Sequence, residues 1–292
     1  MMAAVMAVAA LAATACGTGG GSATGRTGGT GSTPAAARPP ASRAATSPSA
    51  GTPVSSGPVS SGPASAASPA AGPLAGKVIG IDPGHNGRNK DAPAYLARII
   101  WNGRENETCD TTGTETDGGY TEAAFNFTVA SDLRADLLRD GATVVMTRPS
   151  NDGVGPCVDR RAQILNAARA SVAIDIHADG GPPSGRGFTV LEPVADGPND
   201  AVIASSLRFG ADVHAALLAG TSMPVADYYG TNGYIARDDL AGLNLTTVPK
   251  ILIECGNMRN AADAALLAAP RFQQRLAAAF TAAIVTFLAP AP

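Results

Sequence analysis

The stretch from Gly17 to Gly76 sets the limit on what this chain can fold. It is almost entirely Ala, Gly, Ser, Thr and Pro, carries no acidic or aromatic residue, and is charged only at Arg26, Arg38 and Arg43. Such a composition buries too little apolar surface to offset chain entropy, so a disordered linker is expected over 17–76. Folding is thereby confined to residues 77–292, a length that suits one domain with a full core. All 24 Asp and Glu of the chain fall in that domain, as do all but three of its 21 Lys and Arg, for a net charge of about −6. With no basic face and no block of like charge, nucleic acid is excluded as a partner.

Ahead of the linker, MMAAVMAVAALAATAC (1–16) is an apolar run that ends in small residues, as a signal peptide does. LAATAC loosely resembles a bacterial lipoprotein cleavage box ending at Cys16, although the usual basic start is missing and Ala13 stands where leucine is usual. The expectation is export, with either a lipid on Cys16 or a plain secretory signal. A lipidated Cys16 would turn the linker into a membrane tether with a reach of roughly 40–45 Å. In an exported protein two of the remaining cysteines should pair. Cys109 and Cys157 lie in Gly/Pro/Asp-rich loop sequence, whereas Cys255 follows the apolar run KILIE. The expected disulfide is therefore Cys109–Cys157, with Cys255 free and buried.

Within the domain, apolar runs bounded by turns recur at 77–82, 142–148, 171–178, 187–193 and 250–256. Between them, 122–141, 158–170, 201–220 and 261–290 carry helical spacing, the last interrupted by Pro270. Strands alternating with helices predict an α/β fold: a single domain whose largely parallel, mixed sheet is flanked by helices on both faces. The apolar stretch 276–288 is too short to span a bilayer and is expected to pack on the sheet. Asn86 to Tyr120 is long, polar and glycine-rich, and reads as an elaborate loop.

In open α/β sheets ligands gather beyond the carboxyl ends of the strands. There the strand IGID leads into His85, VAIDI into His177 and KILI into Glu254, while Glu122 opens the first long helix. Two imidazoles and a carboxylate form a three-ligand set for Zn²⁺ with a fourth position open, and a second carboxylate beside them can act as general base. Each residue also has a plainer role open to it: His85 in a turn, His177 as a hydrogen-bonded core residue, Glu122 as an acid at a helix N-terminus. Glu254 is harder to explain so, because a carboxylate after four largely apolar residues is costly to bury unpaired. His214 sits inside an amphipathic helix and reads as structural. The HExxH helix, the G-x-S-x-G elbow and the phosphate-binding loop with its Lys-Ser/Thr are all absent.

Together IDPGH (81–85), TEAAFN (121–126), IDIHAD (174–179) and ILIECGNM (251–258) resemble, in order, the four blocks of the zinc-dependent N-acetylmuramoyl-L-alanine amidases of the amidase-3 type. The resemblance spans essentially all of 77–290. It implies that His85, Glu122 and His177 hold zinc, that Glu254 is catalytic, and that Arg237 is a candidate substrate contact. It also implies hydrolysis of the amide between N-acetylmuramic acid and L-alanine in peptidoglycan. Oligomeric state is left open by the sequence, with a monomer as the default expectation. Two other readings stay open: a zinc peptidase cutting within the stem peptide, and a catalytically silent wall-binding regulator. The 37-position gap from His85 to Glu122, longer than is common in the family, contains Cys109.

Overall fold

The computed structural model describes residues 72–290. The expected signal segment 1–16, the linker up to residue 71 and the proposed lipid site Cys16 lie outside them. In chain order the elements are β1 (Val78–Pro83), α1 (Pro93–Leu96), β2 (Ile99–Trp101), β3 (Asn106–Thr108), α2 (Glu122–Arg139), β4 (Thr143–Met146), α3 (Val158–Ala167), β5 (Val172–Asp179), β6 (Thr189–Pro193), α4 (Ile203–Gly220), β7 (Tyr234–Arg237), α5 (Ala241–Asn244), β8 (Lys250–Asn257), α6 (Ala261–Leu267) and α7 (Pro270–Leu288).

Six strands form one sheet in the order β4-β1-β5-β8-β6-β7. The pairs β4–β1, β1–β5 and β5–β8 are parallel, β6 runs antiparallel to β8, and β7 is parallel to β6. The mixed, largely parallel sheet is the one expected. Strand alternation then sorts the side chains by face. Ile79 and Ile81 of β1, Ile174 and Ile176 of β5, and Ile251 and Ile253 of β8 pack against α2, α4 and α7 in the main core. The opposite face is covered by α3 and α5: Leu165 of α3 packs with Ala173, and Leu243 of α5 with Leu191 and Leu252. That second face also carries Asp82, Asp175, His177, Lys250 and Glu254, so the chemistry is concentrated on one side of the sheet.

Three details go beyond the sequence reading. Leu74, placed in the linker by composition, is fully buried in the main core, and its amide donates to the Asp140 carbonyl at 3.0 Å. The packed chain therefore starts by Gly72, ahead of the expected boundary at residue 77, because one leucine among small residues is enough to close that end of the core. The loop after His85 contains the antiparallel hairpin β2–β3, with Ile99 and Trp101 exposed on it. Pro270, which seemed to interrupt a helix, opens α7 instead, at a position where its missing N–H costs nothing.

Candidate functional site

His85 follows β1 by a sharp exit. Its φ of 56° is in the left-handed region, unusual for a residue with a side chain, and it turns the ring across the mouth of the sheet. Gly84 before it makes this possible, since a Cβ there would overlap the His177 ring. His177 projects from β5 directly opposite Glu254 of β8 in the parallel register. Glu122 is the first residue of α2, whose N-cap Thr121 accepts a hydrogen bond from the Ala124 amide.

These elements bring one atom each of His85, Glu122 and His177 within 4.8 Å of one another. Glu122 bridges the two rings, with Oε2 3.3 Å from His85 Nε2 and Oε1 2.8 Å from His177 Nδ1. The far ring nitrogens face carboxylates too. His85 Nδ1 lies 3.0 Å from Asp110 Oδ1, and His177 Nε2 lies 3.3 Å from Asp175 Oδ1. The Asp110 contact has hydrogen-bond geometry; Asp175 Oδ1 has no hydrogen-bond partner.

Beneath the histidines runs a buried layer of charge. Lys250, fully buried, bridges Asp82 at 2.7 Å and Asp175 at 2.9 Å. Arg161 of α3 reaches Asp82 at 3.0 Å and Asp110 at 3.5 Å, and donates to the His85 carbonyl at 2.7 Å. Arg148, also fully buried, donates to the carbonyls of Pro83, Gly84 and Ala123 at 2.8, 3.2 and 2.8 Å. It thus ties the backbone before His85 to the backbone after Glu122. A cavity of about 220 Å³ opens between this layer, the two histidines, the hairpin residues Glu107 and Thr108, and the segment 240–243.

The electrostatics follow from burial and from the surplus of acids. Burial opposes a charged His85, yet Glu122 and Asp110 pull it up to about 9. His177 is likewise raised well above the ordinary histidine value: burial works against it, and Asp175 and Glu122 outweigh that. Glu122 is held well below the carboxylate range, burial being outweighed by the two imidazoles. Glu254 goes the other way. Burial pushes it up to about 8, and its Oε2 is buried with no protein hydrogen-bond partner. Positive charge is what such a group of acids calls for.

Three of the four sequence candidates therefore meet at one place, and the fourth, Glu254, lies opposite His177 on the neighbouring strand. The disulfide joins Cys109 and Cys157, with Cα atoms 4.6 Å apart, and Cys255 is free and buried, both as expected. Arg237 stands apart from the cluster, forked by Asp239 at 2.6 Å on both oxygens and bonded to the Tyr229 hydroxyl. His214 is structural, stacked on Tyr234 and bonded to the Asn232 carbonyl. Sequence reasoning missed Asp82, Asp110, Asp175, Arg148, Arg161 and Lys250. For Asp175 and Lys250 a signal existed: they precede His177 and Glu254 by two and four residues, which puts them on the same face of their strands.

The fold and this cluster define a hydrolase of known type: the chain belongs to the N-acetylmuramoyl-L-alanine amidase family of the amidase-3 type, whose pattern matches residues 79–286. It is 40% identical over 231 residues to an N-acetylmuramoyl-L-alanine amidase of Mycobacterium tuberculosis, covering 77% of this chain and 91% of that protein. The crystal structure of the N-acetylmuramyl-L-alanine amidase Ami1 from Mycobacterium smegmatis superposes with a TM-score of 0.69 at 40% identity, over 74% of this chain and 98% of that one. The apo form of Ami1 from Mycobacterium abscessus gives 0.70 at 39% identity, over 74% and 100%.

Proposed function

We propose that this chain hydrolyses the amide between the lactyl group of N-acetylmuramic acid and L-alanine, using zinc held by His85, Glu122 and His177 and the carboxylate of Glu254. The observation that carries it is the convergence of His85, Glu122 and His177, from beyond β1, the start of α2 and within β5, with Glu254 of β8 paired opposite His177. The donor set fits the metal: two imidazoles and one carboxylate leave a fourth position open, as catalytic zinc sites do. Each ring also has a carboxylate near its far nitrogen, and for His85 this is a hydrogen bond to Asp110, the usual outer support of a ligating histidine. The charge fits as well. A divalent cation held by neutral imidazoles would answer the carboxylates grouped around them.

When bound, zinc supplies Lewis acidity, polarising a carbonyl and lowering the pKa of a water towards neutrality. The protein's own part falls to Glu254. As general base it would accept a proton from the attacking water and return it to the departing L-alanine nitrogen, a role supported by the oxygen that no protein group engages. A cation next to Glu254 favours its ionised form, the state a general base needs. Asp110 keeps the His85 ring oriented through its hydrogen bond to Nδ1, while Asp175, bridged by Lys250, lies beside His177 Nε2. Arg237 is proposed as a contact to the substrate at the rim, through whatever part of its guanidinium Asp239 leaves free.

All four groups lie on one chain, so a monomer would suffice for this chemistry. A peptidoglycan substrate requires export, consistent with residues 1–16 acting as a signal, and Cys16 would tether the domain to the membrane if lipidated. The test is mass spectrometry of purified peptidoglycan after digestion. Intact stem peptides with a free L-alanine amino group, together with peptide-free glycan, are expected. Sugars still carrying L-alanine beside shortened stems would instead mark a peptidase.

A further inference from the structure

We propose that Asp110 is a positioning residue for the metal centre, and that the Cys109–Cys157 disulfide holds it in place. The proposal rests on the reading that His85, Glu122 and His177 bind zinc. It concerns the histidine ligand that neither strand nor helix holds, since His177 lies in β5 and Glu122 opens α2. His177 lies within β5, and its neighbour Asp175 is on the same strand, two residues away. His85 has left β1 at a positive φ, and the carboxylate at its Nδ1 comes from a loop.

Asp110 is nearly fully enclosed, its side chain 3% exposed, and both oxygens are engaged. Oδ1 faces His85 Nδ1 at 3.0 Å and accepts from the Thr111 amide at 2.7 Å. Oδ2 accepts from Asn89 Nδ2 at 3.0 Å, with Arg161 at 3.5 Å. With Nδ1–H donated to this carboxylate, the lone pair that His85 offers a metal is on Nε2, the atom beside Glu122.

Asp110 belongs to no helix or strand, so its position depends on what holds Cys109. The Cys109 amide donates to the Arg98 carbonyl at 2.7 Å, and its own carbonyl accepts from Val158 at 2.9 Å. Its sulfur is bonded to Cys157, the N-cap residue of α3. One turn further along α3, Arg161 binds both Asp110 and the His85 carbonyl. Disulfide, helix, arginine, aspartate and histidine thus close a ring. Opening it at the disulfide frees the loop to move, and the aspartate with it.

The test compares zinc affinity, by competition with a fluorescent chelator, in the full chain and in Asp110→Ala, Asp110→Asn and Cys109→Ser/Cys157→Ser. Loss of an outer-shell partner weakens metal binding by about 10–100-fold, and that range is expected for Asp110→Ala and for the double cysteine variant. Asp110→Asn, which keeps an acceptor but loses the charge, should fall between Asp110→Ala and the parent chain. In Asp110→Ala, kcat should drop at limiting zinc and recover as zinc is raised, with KM for a muropeptide unmoved, a pattern that general destabilisation does not produce. Affinity within threefold of the parent in Asp110→Ala would overturn the positioning role. The same result in a folded double cysteine variant would overturn the disulfide's part in it. A parent chain that takes up no zinc would instead defeat the reading of the metal site itself.

Discussion

Replacing Glu254 with alanine is expected to slow amide hydrolysis by about 10²–10⁴-fold or more while leaving zinc bound, because a positioned general base contributes on that scale. The split between rate and metal is what the geometry demands. His85, Glu122 and His177 form the cluster on their own, and Glu254 stands opposite His177 as a fourth group with an oxygen that nothing in the protein uses. Removing it takes away the proton acceptor but none of the three ligands. It also removes a carboxylate that burial already disfavours, so folding stability should hold or rise. The check is the rate of L-alanine-terminated peptide release, paired with the zinc content of the same preparation. Near-normal hydrolysis by Glu254→Ala would show that another group takes the proton.

The second large effect is expected at Lys250, whose change to methionine keeps the volume and deletes the charge. Breaking a buried ion pair by removing one partner costs roughly 3–5 kcal/mol, or a fall in Tm of roughly 6–20 °C for a domain of this size. Lys250 is fully buried and bridges two carboxylates; without it Asp175 loses its cation and Asp82 keeps only Arg161. The effect has a pH signature. Burial alone would raise Asp82, but Lys250 and Arg161 hold it far below the ordinary range. A depressed carboxylate adds stability that is present above its unfolded pKa and is lost as pH falls through the folded value. The advantage of the parent over Lys250→Met should therefore be largest near neutral pH and shrink on acidification below about 4. Urea unfolding of both proteins at pH 7 and at about pH 3 measures this. A gap under about 1 kcal/mol at pH 7, or one that widens in acid, would show that the layer is not held by this lysine.

What could be read from the sequence, and what could not, follows from how each residue reaches the site. His177 and Glu254 were visible because strands announce themselves as apolar runs, and a polar residue at the end of one stands out. His85 and Glu122 sit where an element ends or begins, marked by Pro83, Gly84 and Thr121. Asp110 carries no such mark. It lies in a loop of irregular backbone, and only the folded path of 86–120 brings it to His85, 25 positions away. The hairpin within that loop escaped notice because its strands are three residues each, too short for alternation to register. Strand β7 is nearly as short, with four residues, and at the sheet's edge it is not fully apolar. Arg148 and Arg161 are invisible for another reason. Arginine is usually solvent-exposed, and nothing local shows that these two are buried and bonded to the carbonyls that frame the ligands.

The most direct test of the metal centre is the zinc content of the purified chain measured beside that of His177→Ala, by elemental mass spectrometry after removal of loosely bound ions. About one zinc per chain is expected in the parent, falling to a small fraction in the variant, as a site that loses one of three protein ligands should. A parent chain without zinc, or a His177→Ala variant that retains it in full, would contradict the assignment of His85, Glu122 and His177 as the metal's ligands.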